Sequence, residues 1–167
     1  TQRPISFEDF FAMKRLGSVA LSPDKNTVAY TLKIPNIKDN SFKTDIYMLD
    51  IKNGNSTLFS ACEKSSSGPV WSPDGKFIFF NRAGQIWKQP FPKGEAQQVT
   101  DYAPGAGSVV FNTDGSKFLF VAEVYPDCKT EECNKEKAEQ ADASPVKARV
   151  IDKLMYRHWN RWLEGKR

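Results

Sequence analysis

The segment Tyr156–Trp162 concentrates the side chains best suited to bind a polar ligand. It holds the single histidine of the chain, two of its four tryptophans and two of its arginines. A guanidinium group can hold a carboxylate or a peptide carbonyl, and indole rings can line a cavity. We therefore predict that four residues line a substrate-binding cavity: Arg157, His158, Trp159 and Trp162.

The same segment has a simpler interpretation. Tryptophan usually serves packing, so these residues could form an ordinary strand with its arginines on the solvent face. The apolar residues of the region suggest a helical spacing instead, and they are Val150, Ile151, Leu154, Met155 and Trp159. The sequence leaves the local structure open between these alternatives.

Two cysteines lie close together, since four residues separate Cys128 from Cys133. This spacing suits a small local disulfide at the start of a helix, and two free thiols or half of a metal site are the alternatives. Zinc needs four ligands, and only His158 and Cys62 remain to complete a site. We expect no metal and no cofactor. A disulfide would imply an oxidising compartment.

The motifs of several enzyme classes are missing from the sequence. It contains no Gly-x-Ser-x-Gly, no glycine-rich phosphate loop, no dinucleotide fingerprint and no His-Glu-x-x-His. A serine hydrolase needs a nucleophile, a base and an orienting acid, and His158 is the only imidazole. We therefore expect no catalytic residue among these 167 residues, and we expect the chain alone to be inactive.

A repeated phrase predicts the elements that position these residues. The phrase contains the end of one strand, a Ser-Pro-Asp or Asn-Thr-Asp turn, and an apolar second strand. It occurs three times, at residues 21–30, 71–80 and 111–120. Aspartate bonds to its own backbone and glycine accepts a positive φ, so each copy predicts a hairpin. A repeat of 40 to 50 residues is typical of a β-propeller blade with four strands.

Further strands complete the repeating units. Residues 45–51 precede Asn53-Gly54, a strong hairpin signal, and residues 84–90 precede Lys93-Gly94. We predict an all-β fold: an incomplete β-propeller of two full four-stranded blades and part of a third. The predicted boundaries are 1–16 for an amino-terminal helix and cap, 17–62 for blade 1, 63–102 for blade 2 and 103–167 for partial blade 3. A closed propeller needs at least four blades.

Three segments interrupt this pattern. Ser6–Met13 predicts a short helix that Ser6 caps, with Asp9 in the reciprocal position. Lys33–Lys43 is rich in Asn, Asp and Lys and predicts a surface loop. The charged stretch 126–145 predicts a helical insertion or loop in blade 3.

Charge and hydropathy restrict the partners. The net charge of +4 is mild and basic residues are interspersed with acidic ones, so nucleic-acid binding is disfavoured. No apolar run is long enough to cross a membrane. The chain begins at Thr1-Gln2-Arg3-Pro4, which is typical of a mature protein whose signal peptide has been removed.

The repeat resembles the propellers of the prolyl oligopeptidase family of serine peptidases, and also those of the Tol system. Three features narrow the resemblance to dipeptidyl-peptidase 5-type enzymes, close to acylaminoacyl peptidases. They are Phe7–Phe11, the segment Tyr125–Cys133, and Ala148-Arg149-Val150 leading into Arg157-His158-Trp159.

This resemblance implies a secreted or periplasmic enzyme that releases dipeptides from peptide amino termini. Its Ser-Asp-His triad would lie in an α/β-hydrolase domain, while the propeller gates access and positions the peptide. The implied partners are the rest of the propeller, that hydrolase domain, a peptide substrate and, in a homodimer, a second copy. The alternative is a non-enzymatic, Tol-like propeller that binds a protein partner.

Overall fold

The repeated phrase forms the same turn three times in the computed structural model, which describes residues 3–146, 148–151 and 154–162. In the second copy the N–H of Gly75 donates to the carbonyl of Ser72 at 2.9 Å, and the third copy repeats this bond between Gly115 and Asn112 at 3.1 Å. Gly75 and Gly115 have φ values of 71° and 72°. The predicted turn chemistry is confirmed at each copy.

The first sheet is a four-stranded antiparallel meander, called blade 1 here. Its strands are β1 (Arg15–Leu21), β2 (Thr27–Asn36), β3 (Ser41–Asp50) and β4 (Ser56–Leu58), hydrogen-bonded in that order. Consecutive strands pair directly because short turns join them.

The segment Lys33–Lys43 does not form the predicted surface loop. Strand β2 continues to Asn36 and β3 begins at Ser41, so only residues 37–40 turn. Ladder pairing extends without interruption from Thr27↔Asp50 to Asn36↔Ser41. The prediction was wrong because polar composition signals exposure, and an exposed hairpin can be as polar as a loop.

Helix α1 (Phe7–Ala12) precedes blade 1 and begins at the predicted cap. The N–H of Asp9 donates to Ser6 Oγ at 3.3 Å, and the N–H of Ser6 donates to the Asp9 carboxylate at 2.9 Å. Hydrogen bonds from Arg3 and then from the Ser6 N–H lower the pKa of Asp9 to about 2. The helix contacts β2, and the Phe11 ring lies 5.7 Å from that of Phe42.

The second sheet, blade 2, repeats the meander. It contains β5 (Ser66–Trp71), β6 (Phe77–Arg82), β7 (Gln85–Pro90) and β8 (Gln97–Gln98) in that order. A two-stranded sheet comes next along the chain, formed by β9 (Gly107–Phe111) and β10 (Phe118–Val121). Two complete four-stranded units and part of a third are therefore present, as predicted.

The sheets pack face to face through their first strands. Strand β5 lies against β1, β2 and β3, and β9 lies against β5, β6 and β7. The two interfaces bury the core. Between blades 1 and 2 the buried residues are Ala29, Ile46, Met48, Trp71, Ile78 and Phe80. Between blade 2 and β9 they are Phe79, Ile86, Ala106 and Val109.

Each first strand carries a β-bulge, and relative to the turn aspartate the three bulges lie within one residue of each other. The register shifts between Leu16 and Val19 in β1, between Ser67 and Val70 in β5, and opposite Leu119–Val121 in β9. In every case the first strand has one extra residue against its partner. The repeat therefore extends beyond the turns to the irregularities of the strands.

After the third hairpin the chain forms helix α2 (Glu131–Ala143) and a small hairpin of β11 (Arg157–His158) and β12 (Arg161–Trp162). The helix falls within the predicted insertion 126–145. Across the described parts of the chain, no helix is long and apolar enough to span a bilayer.

Candidate functional site

The four predicted ligand-binding residues lie together on the β11–β12 hairpin. Arg157 pairs with Trp162, and His158 pairs with Arg161. Trp159 begins the turn with a φ of 52°. The alternative interpretation as strand is confirmed for Arg157, His158 and Trp162, whereas Trp159 lies in the turn.

The predicted helical spacing of this region was wrong. Among described residues 148–151 and 154–162 the only regular elements are the two short strands. The apolar residues that suggested a helix are exposed, with Val150 at 93% and Leu154 at 91%. An apolar face stabilises a short helix only when that face is buried, and no other described part of the chain covers Val150 or Leu154.

The half-buried Trp162 ring is the centre of the hairpin. The Arg149 guanidinium carbon lies 4.7 Å from its centroid, that of Arg157 lies 5.6 Å away, and the Tyr156 ring stacks on it at 5.8 Å. Cation–π attraction holds both guanidinium groups beside the same indole ring. The arrangement presents positive charge that can bind a carboxylate or a carbonyl oxygen.

The remaining pair of predicted residues is open to solvent. Trp159 is 85% exposed and its ring meets that of His158 at a centroid distance of 6.4 Å. Among the described helices and strands, β11 and β12 contact only each other. The hairpin therefore brings the four residues together without enclosing them in a cavity.

The cysteine pair forms the disulfide that was one of the predicted alternatives. Cys128 is bonded to Cys133, with a Cα–Cα distance of 5.4 Å, and Cys62 is free. The N–H of Cys133 donates to the Thr130 side chain at 3.4 Å, which caps helix α2. The covalent bond thus ties the loop before α2 to the first turn of the helix.

Asn134 fixes the same helix to the chain before it. Its side chain is buried, accepts from the N–H of Tyr125 at 2.8 Å and donates to the carbonyl of Thr130 at 2.9 Å. Lys137 forms an ion pair with Asp127 across the loop. Helix α2 is otherwise solvated, because Asn134 is its one buried residue.

The turn aspartates are held in their charged form. The hydroxyl of Ser22 lowers the pKa of Asp24, that of Ser72 lowers the pKa of Asp74, and that of Ser116 lowers the pKa of Asp114. Each carboxylate also accepts a backbone N–H two residues later. Hydrogen bonds to the charged form favour it, so these carboxylates stabilise turns and are not poised as acids.

Within the described residues, no three His, Cys, Asp or Glu side chains group closely enough to hold a metal ion. The sequence interpretation also missed one residue, Arg82, which is buried at the end of β6. Alignment of the repeats could have identified Arg82, because a charged residue stands there at a position that blade 1 fills with apolar Leu32.

Comparison with known proteins places the chain among peptidase-associated propellers. The model of a family described as the dipeptidyl peptidase IV (DPP IV) N-terminal region matches residues 22–124. Over 161 residues the chain is 28% identical to dipeptidyl-peptidase 5 of Porphyromonas endodontalis, which covers 94% of this chain. The chain spans only 22% of that relative's length.

Solved structures share the fold. Acylaminoacyl peptidase of Pyrococcus horikoshii superposes with a TM-score of 0.69 at 22% identity, over 95% of this chain and 23% of that one. The β-propeller domain of the Trilobed protease from Pyrococcus furiosus gives 0.53 at 27% identity, over 65% and 33%. A putative TolB from Agrobacterium tumefaciens gives 0.50 at 33% identity, over 62% and 36%.

Proposed function

Because the chain belongs to the family of the dipeptidyl peptidase IV N-terminal region, we propose that it is the amino-terminal propeller segment of a serine dipeptidyl peptidase. The whole enzyme releases dipeptides from peptide amino termini, and its triad lies in an α/β-hydrolase domain outside these residues. The observation that carries the proposal is the family match over residues 22–124, which spans strands β2–β4 of blade 1, all of blade 2 and the β9–β10 sheet. Similarity to dipeptidyl-peptidase 5 supports the reaction class.

In this proposal the segment gates the active site and positions the peptide. The β11–β12 hairpin supplies the contacts, because Arg157 and Arg149 flank Trp162 on an exposed surface. A guanidinium group can hold a backbone carbonyl while the indole ring packs against a side chain. Holding the peptide in place lowers the entropic part of the barrier at a serine that another domain provides.

The remaining blades and the hydrolase domain are the proposed partners of the exposed apolar strands. On β1, Leu16 and Val19 are 67% and 60% exposed, and on β10, Leu119 and Val121 are 77% and 65% exposed. Large apolar residues at both ends of the sheet stack favour a covering surface. We also propose a periplasmic or secreted location, which the disulfide supports.

Activity-based labelling tests the proposal. The full-length protein should react with a fluorophosphonate and cleave a dipeptidyl reporter, while residues 1–167 alone should do neither. A control with alanine in place of the hydrolase-domain serine should lose both activities. A folded full-length protein that neither labels nor cleaves would contradict the proposal.

A second candidate is a non-enzymatic propeller that binds a protein partner. The similarity to the putative TolB favours it, since its 33% identity exceeds that to dipeptidyl-peptidase 5 over a shorter stretch. The two candidates differ in the part of the gene downstream of this segment. A downstream Gly-x-Ser-x-Gly segment supports the peptidase, and further blades without one support the binding protein.

A further inference from the structure

Arg82 is a cation inside the interface between blades 1 and 2. It is the last residue of β6 and only 7% exposed. Its Nε–H donates to Ser66 Oγ at 3.0 Å, and Ser66 on β5 is fully buried. The two residues are also direct cross-strand partners. Arginine is rarely buried without a partner, so this position needs an explanation.

The repeat shows that the Ser66–Arg82 pair is a departure from the pattern. Both residues lie eight positions from the turn aspartate Asp74, one before it and one after it. The matching pair in blade 1 is Leu16 and Leu32, which are also cross-strand partners. In the third copy the matching residues are Ala106 and Ala122. The fold thus accepts apolar residues here, and blade 2 alone has a charge.

Aromatic rings hold the guanidinium in place. Its central carbon lies 4.9 Å from the Phe80 centroid and 5.2 Å from that of Trp87. The Trp87 indole in turn donates to the carbonyl of Arg82 at 3.2 Å. Two rings and one hydroxyl therefore fix the plane of the guanidinium, which is the pre-organisation that bidentate binding requires.

No carboxylate of the described residues neutralises this cation. None of the ion pairs found within 3–146, 148–151 and 154–162 includes Arg82. The buried carboxylate of blade 1, Asp45, lies 3.2 Å from Lys43 through Oδ2, and its Oδ1 has no hydrogen-bond partner. That carboxylate is paired with Lys43 and forms no ion pair with Arg82. Burying a charge without a counter-ion costs free energy.

We propose that Arg82 binds the carboxylate group of a ligand at the edge of the interface between blades 1 and 2. With Nε occupied by Ser66, the two Nη groups remain for the two oxygens of a carboxylate. The site lies beside the bond from the Thr44 N–H to Ser65 Oγ, which joins the blades at 3.0 Å. This site is separate from the β11–β12 hairpin and does not depend on the peptidase proposal.

Binding measurements on the full-length protein test the site with N-acetyl-alanine as probe and N-acetyl-alaninamide as its neutral match. Titration calorimetry at low salt should detect the acid, while the amide should bind about tenfold more weakly or not at all, because charge-assisted bonds are lost. Arg82→Met should abolish the preference. Arg82→Lys, which keeps the charge without the fork, should weaken acid binding by about tenfold.

The double variant Ser66→Leu/Arg82→Leu reproduces the apolar pair of blade 1 and keeps the test valid if a single change unfolds the protein. It should fold, as judged by circular dichroism, and should no longer bind the acid. Equal binding of acid and amide, or unchanged acid binding in the folded double variant, would overturn the proposal. Absence of acid binding to the unaltered protein would overturn it as well.

Discussion

The indole N–H of Trp71 donates to the carbonyl oxygen of Ala20 at 3.0 Å, across the interface between the two complete blades. Both residues lie on first strands, 51 positions apart, and Trp71 is 7% exposed. The bond pairs the indole N–H of a buried ring with the carbonyl of half-buried Ala20, while the ring fills the apolar core. One side chain thus sets both the packing and the alignment of adjacent repeats.

Replacing Trp71 with phenylalanine should destabilise the propeller by about 1–3 kcal/mol. The change removes the indole donor from the carbonyl of half-buried Ala20 and opens a small cavity. The measurement is the shift of the urea midpoint. Trp159→Phe, at a side chain that is 85% exposed, is the matched control and should stay within about 0.5 kcal/mol. An equal effect of the two changes would contradict the interface role.

Lys25 and Gly75 occupy equivalent turn positions and should respond oppositely to substitution. Their φ values are 62° and 71°, a region that costs a non-glycine residue about 1 kcal/mol. Lys25→Gly should therefore raise the free energy of unfolding by up to about 1 kcal/mol, and Gly75→Ala should lower it by a similar amount. Urea denaturation of both variants gives the comparison, and equal signs would show that the turns are not equivalent.

The turn carboxylates predict a loss of stability in acid. Hydrogen bonds from Ser22, Ser72 and Ser116 lower the pKa of Asp24, Asp74 and Asp114 in the folded state, so the unfolded state binds protons first. Their contribution is present above about pH 4 and is lost as pH falls through the lowered pKa values. Unfolding measured from pH 6 to pH 2 should show this decline.

Asp74→Asn provides the test for one turn, since the amide cannot gain or lose a proton in this range. The variant should be less stable than the parent near neutral pH, and the difference should shrink towards pH 2. Asp101→Asn, which changes an exposed carboxylate outside the turns, is the control. A difference that stays constant with pH would contradict the electrostatic origin.

The disulfide predicts the thiol count. Alkylation of the denatured, unreduced protein should modify Cys62 alone, because Cys128 and Cys133 are bonded to each other. After reduction all three cysteines should react. Mass spectrometry counts the alkyl groups, and the finding of three before reduction would refute the bond.

The proposed function predicts that changes in the β11–β12 hairpin weaken substrate binding by the full-length protein. Arg157→Ala and Trp162→Ala remove the two groups that face each other at 5.6 Å, and each should raise KM for a dipeptidyl substrate by about tenfold. The kcat value should change little, because the proposed function assigns the catalytic groups to another domain. Lys52→Ala, in an exposed turn of blade 1, is the control. A fall in kcat alone would argue against a binding role.

Much of the architecture was predictable because its determinants are local. The bonds from Ser72 and Lys76 to the Asp74 carboxylate span two residues each, so the motif itself specifies the turn. The capping box of Ser6 and Asp9 is equally local. Repetition of one motif at a spacing of 50 and then 40 residues then predicted the number of blades.

The wrong predictions have the same cause, since the local structure there depends on contacts between residues that are far apart in the sequence. The extension of β2 and β3 through Lys33–Lys43 depends on pairing between strands, and composition does not record pairing. The prediction of a helix near Val150 failed because the described residues leave the apolar side chains of Val150 and Leu154 exposed. The sequence identified the residues of the candidate hairpin, but it did not predict that the hairpin would be exposed to solvent.

By itself the sequence determined the hairpins, the repeat and the family. Turn chemistry acts between residues that are close in the chain, and a repeat can be recognised by comparing segments of the linear sequence. Only the tertiary structure decided which side chains lie between the blades. It buries Arg82 against Phe80 and Trp87, and it ties Trp71 to Ala20. Burial depends on which surfaces meet, and that depends on the packing of whole sheets.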